Sequence, residues 1–148
     1  MSRIALLLLL LLSVALGCGG KKPAPPAAKS GEGAIPRVDL RTRSQANLRQ
    51  LSQAYQLALT TSPPRNVDDL KAQLEGGDRI LISPVDEQPY EIVFGVDPSK
   101  LASNSQETLL IWEKVGDKDG NRNVVTAGGQ VKQVSRAEFE KMPKATGK

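Results

Sequence analysis

The chain has 148 residues, with 20 Lys and Arg against 16 Asp and Glu, a net charge of +4 and no histidine. Its positive residues are scattered, and one Trp, two Tyr and two Phe supply few stacking surfaces, so the composition argues against a nucleic-acid partner. A lone cysteine and no histidine exclude an intrachain disulfide and the usual nucleophile-and-base pairs.

The chain opens with Met1-Ser2-Arg3, then runs apolar from Ile4 to Leu16, then Gly17 and Cys18. A charged start, a short apolar stretch and a small residue before a cut make the layout of a secretory signal peptide. The run falls short of the about 20 apolar residues that a membrane-spanning helix needs. Ala15-Leu16-Gly17-Cys18 resembles a bacterial lipobox, whose cysteine is acylated and becomes the first residue of the mature protein. That resemblance implies residues 1–17 as a lipoprotein signal peptide and a membrane partner reached through acylated Cys18. It also implies a lipid-anchored location facing the periplasm or the exterior. Gly19 after the cysteine, in place of aspartate, favours the outer membrane by likeness to the enteric sorting rule.

Residues 18–37 are rich in Gly, Pro, Ala and Lys. So little apolar surface cannot offset the entropy of ordering, and the segment reads as a flexible tether. Asp39 to Leu59 has neither proline nor glycine, and Leu48, Leu51, Tyr55 and Ala58 recur on one helical face. The spacing predicts one long amphipathic helix. After Ser62-Pro63-Pro64, Asn66 reads as the N-cap of a short helix, with Asp68 and Asp69 in its first turn. From Gly77 the period changes to two. Strands are expected at 79–82, 90–96, 109–115, 123–127 and 130–134, the last two joined by a two-residue Gly128-Gly129 turn. Ser135 to Glu138 fits a capping box opening a final helix to about Met142, and 143–148 reads as a disordered basic tail. The expected fold is α+β: a long N-terminal helix packed across a small antiparallel sheet of three to four strands, then a short C-terminal helix. The domain so defined is 38–142.

This order resembles the globular part of type IV pilin-like proteins and pseudopilins, in the planctomycete-type form. Arg43 to Leu51 is similar to the segment of their long helix that follows the membrane part, and Ser62 to Leu70 to their proline-led short helix. Asn123 to Val131 resembles their terminal hairpin, with Gly128-Gly129-Gln130 where those relatives carry Asp-Gly-His. The resemblance implies a two-layer pilin-like domain, here following a lipobox leader in place of the hydrophobic assembly helix.

Asp117, Asp119, Asn121 and Asn123 form a run of alternating oxygen donors around Gly120. Such oxygens suit a hard cation, and calcium is the one cofactor the sequence admits; a polar turn uses the same residues for their backbone freedom. Asp68-Asp69 reads as a helix start and Asp86-Glu87 as a loop, so no catalytic residue is expected. The functional expectation is a non-enzymatic, lipid-anchored envelope protein with a binding or structural role and a protein partner in the envelope. The alternative is an accessory component of a type II secretion or pilus-like machine that docks on pseudopilins.

Overall fold

The computed structural model describes residues 37–101 and 104–147. The leader, Cys18 and the tether through 36 lie outside the described residues. Helix α1 (Arg37–Leu59) is followed by α2 (Val67–Lys71), a 3-10 turn (Gly77–Leu81), β1 (Glu91–Ile92), a second 3-10 turn (Pro98–Lys100), β2 (Leu109–Trp112), β3 (Arg122–Thr126), β4 (Val131–Val134) and α3 (Arg136–Lys141). The strands form one antiparallel meander in the order β1-β2-β3-β4, so the fold is α+β as the sequence pattern implies.

The long helix lies on one face of the sheet because its apolar stripe has no other place to go. Leu48, Leu51, Ala54 and Tyr55 are buried in a cluster with Ile111, Val125 and Ala127 from the sheet. Each such aliphatic side chain contributes about 1.5–3 kcal/mol by leaving water. A smaller cluster lies on the opposite face, where Phe139 of α3 covers Leu109, Val124 and Val134. A bulge between Leu109 and Ile111 produces this division. It sends Leu110 and Ile111 together into the larger cluster and leaves Leu109 in the smaller.

Helix ends follow the local signals. The Asn66 side chain accepts the Asp69 amide at 3.1 Å. Ser135 and Glu138 complete a reciprocal capping box, with the Ser135 N–H on Glu138 Oε2 at 2.9 Å and the Glu138 N–H on Ser135 Oγ at 3.2 Å.

Five expectations need correction, the first being that the strand expected over 109–115 ends at Trp112. Residues 79–82 are not a strand: Gly77–Leu81 is a 3-10 turn that buries Ile80, and only Ile82 bridges to Pro89. The strand expected over 90–96 is confined to Glu91–Ile92, because the Tyr55 hydroxyl donates toward the carbonyls of Val93 and Val96, both at 3.1 Å, and draws the chain off the sheet. The β3–β4 loop holds three residues, since the Thr126 N–H bonds the Gln130 carbonyl at 2.9 Å. Gly129 takes φ 83° there, a region that favours glycine. Finally, the tail does not fray at 143. The Leu109 N–H donates to the Pro143 carbonyl at 2.7 Å, the Ala145 N–H returns to the Leu109 carbonyl at 2.8 Å, and Ala145 is buried. The tail occupies the place beside β2 that the short β1 leaves open.

Truncation after Met142 strips both partners from the Leu109 backbone and uncovers the core beside it. Each unpaired buried backbone group costs about 1–3 kcal/mol, so the truncated chain is expected to melt several degrees lower by far-UV circular dichroism. An unchanged melting temperature would refute the structural role of the tail.

Candidate functional site

The most concentrated group of polar side chains is buried between α1 and the sheet. Glu113, the residue after β2, is 1% exposed, and Ser44, Ser83, Asn123 and Tyr90 are buried around it. Its neighbours in the chain, Leu110 and Ile111, are apolar and packed in the core cluster on the α1 side. Asn123 donates twice, from its backbone N–H to Oε2 at 2.7 Å and from its side-chain amide to Oε1 at 2.9 Å. The Ser44 hydroxyl donates to the same Oε1, and Ser83 Oγ stands 3.5 Å from it. Tyr90 continues the chain, its hydroxyl 2.8 Å from Ser44 Oγ. Gln45 fills the remaining acceptor of Asn123 at 3.2 Å.

Among the described residues, no lysine or arginine forms an ion pair with Glu113. Its charge is met by dipoles alone. Burial pushes its carboxyl above the usual 4.5, against the hydrogen bonds from Ser44 and Asn123 that favour the ionised form. Burial also pushes the Tyr90 phenol up to about 12, opposed by its hydrogen bond with Ser44. The arrangement fastens three segments: Ser44 belongs to α1, Asn123 to β3 and Ser83 to the loop before β1.

The turn between β2 and β3 holds the residues singled out for calcium, and they divide between several partners. Asp117 Oδ1 accepts the backbone N–H groups of Asp119 and Asn121, each at 2.9 Å. Its Oδ2 accepts the Asn121 side-chain amide at 3.1 Å and the Arg41 guanidinium. Burial alone would raise Asp117, but the hydrogen bonds from Asn121 and Asp119 and the nearby Arg41 outweigh it and hold the carboxyl below its ordinary value. Asp119 pairs with Lys118 at 3.0 Å, and Asn123 is turned into the core on Glu113. Asp117 and Asn121 are thus brought together, while Asn123 serves a different site. Among the described residues, no group of three or more Cys, Asp or Glu side chains is placed to hold a metal ion. Asp86 also ties this turn, its Oδ2 accepting the N–H groups of Val115 at 2.7 Å and Gly116 at 2.9 Å. Asp69 accepts the Arg65 N–H at 2.7 Å, as befits a helix start.

The second face of the sheet carries a cluster of a different kind. Trp112 and Phe139 meet edge to face, with ring centroids 6.1 Å apart. The Arg122 guanidinium lies 4.2 Å from the Phe139 centroid. Lys144 Nζ lies 5.2 Å from the same ring and 5.6 Å from that of Trp112. Arg122 Nε is buried without an acceptor, and its place over the ring lets the π face substitute in part.

Sequence reasoning missed the Glu113 group and this cluster. One signal for the first was present: a single carboxylate among the apolar residues 109–115. Comparison of the chain with protein-family models, with curated proteins and with solved structures finds no match.

Two outcomes follow from the geometry. Glu113 has a folded-state value above its unfolded one, so its contribution to stability is complete below about pH 4.5 and is lost as the pH rises through the folded value. The stability of the native chain relative to Glu113→Gln is therefore expected to fall as the pH is raised from 4.5 toward neutrality, measured by urea unfolding across that range. A difference independent of pH would sink this account. At the turn, both Asp117 oxygens are occupied by donors, so titration with millimolar calcium is expected to give no heat by calorimetry. Heat that disappears in Asp117→Asn would restore the metal reading.

Proposed function

We propose that the chain is a lipid-anchored protein of the bacterial envelope whose α+β domain has a non-catalytic binding or structural role. The observation that carries this is the leader from Met1 to Gly17 ending on Cys18, the chain's single thiol. Two or three acyl chains on that cysteine, at about 0.8 kcal/mol per buried CH₂, make an anchor far more durable than one myristoyl group. No helix among the described residues is long and apolar enough to cross a membrane. The non-catalytic half of the reading draws on Glu113, whose carboxylate is spent on holding α1 to the sheet and is sealed from solvent. A second reading, an accessory part docking on the pseudopilins of a secretion machine, draws on the long helix laid across an antiparallel sheet. Copurification with secretion components would favour it.

Expressed in a bacterium that processes lipoproteins, the chain is expected to incorporate labelled palmitate and to sediment with membranes. Cys18→Ala is expected to lose the label completely and to leave the acylated membrane pool. A label that survives the substitution would overturn the anchor.

A further inference from the structure

Two cations, Arg122 and Lys144, are held over the Trp112–Phe139 pair. Arg41, which follows the start of α1 closely, is paired with Asp117 in the β2–β3 turn. The end where α1 begins is therefore the end that carries the turn and Arg122 just beyond it. Five carboxylates there are engaged. Asp86 holds the amides of Val115 and Gly116, Glu91 holds Lys114 at 3.5 Å, Asp117 holds Arg41, Asp119 holds Lys118, and Glu140 holds Arg136 at 3.1 Å. Among the described residues, neither Arg122 nor Lys144 forms an ion pair.

Both are nonetheless held in place. Lys144 sits between the two backbone bonds that tie Pro143 and Ala145 to Leu109. Arg122 is stacked on Phe139 and donates to the Lys114 carbonyl at 3.4 Å. Two positive charges gathered around one ring repel each other, and among the described residues no carboxylate within ion-pair distance offsets that repulsion. An external anion would. Half-buried Trp112 at the margin of the cluster adds the side chain that favours a bilayer's polar boundary.

We infer that Arg122 and Lys144, with Trp112 beside them, form a docking face for the anionic phosphate headgroups of the bilayer to which the chain is anchored. This rests on the lipid-anchor reading, in which a tether of residues 18–37 links Cys18 to the domain. The tether keeps the face at high effective concentration near its lipid, so a weak contact is enough. Each lysine or arginine near an anionic surface multiplies occupancy by about fivefold, so removing both lowers the docked-to-free ratio by roughly 20- to 30-fold.

Trp112 is the chain's only tryptophan, so its fluorescence reads the face directly. The test uses the full acylated chain reconstituted in phosphatidylcholine vesicles, with and without phosphatidylglycerol. In the anionic vesicles Trp112 emission is expected to shift to the blue and to become protected from acrylamide. Added salt is expected to reverse both, and Lys144→Gln to weaken them. Arg122→Gln with Lys144→Gln should abolish them. Lys144→Gln changes an exposed side chain and serves if the Arg122 substitution disturbs folding. Lys71→Gln with Lys100→Gln removes the same charge from cations paired with Asp78 and Asp97, and is expected to leave docking intact. Emission indifferent to phosphatidylglycerol, or equally lost in that control pair, would overturn the inference. So would a response to a soluble acidic peptide that exceeds the response to vesicles. Failure of the anchor itself is read separately, from palmitate labelling; a chain that carries no acyl group is coupled through Cys18, its single thiol, to a maleimide lipid in the same vesicles, and the same emission comparison decides.

Discussion

Burying a carboxylate without a cation costs several kcal/mol, and here that cost is offset only when three separate segments arrive together. Ser44 comes from α1, Ser83 from the loop before β1, and Asn123 from β3; displacing any one leaves Glu113 with fewer donors. The apolar contacts of Leu48 and Leu51 drive α1 onto the sheet, yet they are not directional and would tolerate a slide or a rotation. Hydrogen bonds to a buried charge would not. Glu113 thus fixes where along the sheet the helix lies. Tyr55 makes a second directional attachment about 16 Å further along α1, through its hydroxyl and the backbone of Val93 and Val96. A helix fixed at two points has one position.

The same two attachments explain which parts of the fold the sequence could reveal. Signals confined to a few residues were legible: the Asn66 cap, the Ser135–Glu138 box, and the apolar face of α1. A small antiparallel sheet of three to four strands followed from alternation and turn residues. What escaped depends on partners far away in the chain. Ser44 shows no role until Glu113, 69 positions later, is placed beside it. Residues 90–96 alternate as a strand should, but Tyr55 competes for their backbone and wins after Ile92. Ile80-Leu81-Ile82 is a short apolar run, and such runs do not distinguish a strand from a buried helical turn. The tail failed for a further reason. Pro143 and Lys144 look solvated by composition, whereas the groups that order them are backbone atoms, to which composition is blind. At the candidate calcium turn, spacing grouped four oxygens of which the fold joins only those of Asp117 and Asn121, and it could not tell which donors would reach them first.

The two faces of the sheet divide the chemistry between them. The α1 side gathers the larger core together with every donor that Glu113 requires, and it is closed. The α3 side has a smaller core, covered by one short helix and bordered by Trp112, Arg122 and Lys144. Selection for a stable fold accounts for the first face. It does not explain why two cations should be positioned on aromatic rings while the carboxylates around them serve turns and other pairs.

Electrostatic economy points the same way. An ion pair at the surface contributes little to stability, so leaving Arg122 and Lys144 unpaired sacrifices little in the isolated domain. The same pair becomes significant when the domain cannot diffuse away from an anionic surface, because tethering turns a contact too weak to detect between free molecules into an intramolecular equilibrium. A freely diffusing protein would need a larger basic patch to stay on a membrane. A protein held by a lipid and a short segment needs only enough charge to choose which side faces the bilayer. Two unpaired cations and one tryptophan are commensurate with that smaller requirement, and the mild net charge of +4 is consistent with orientation in place of recruitment.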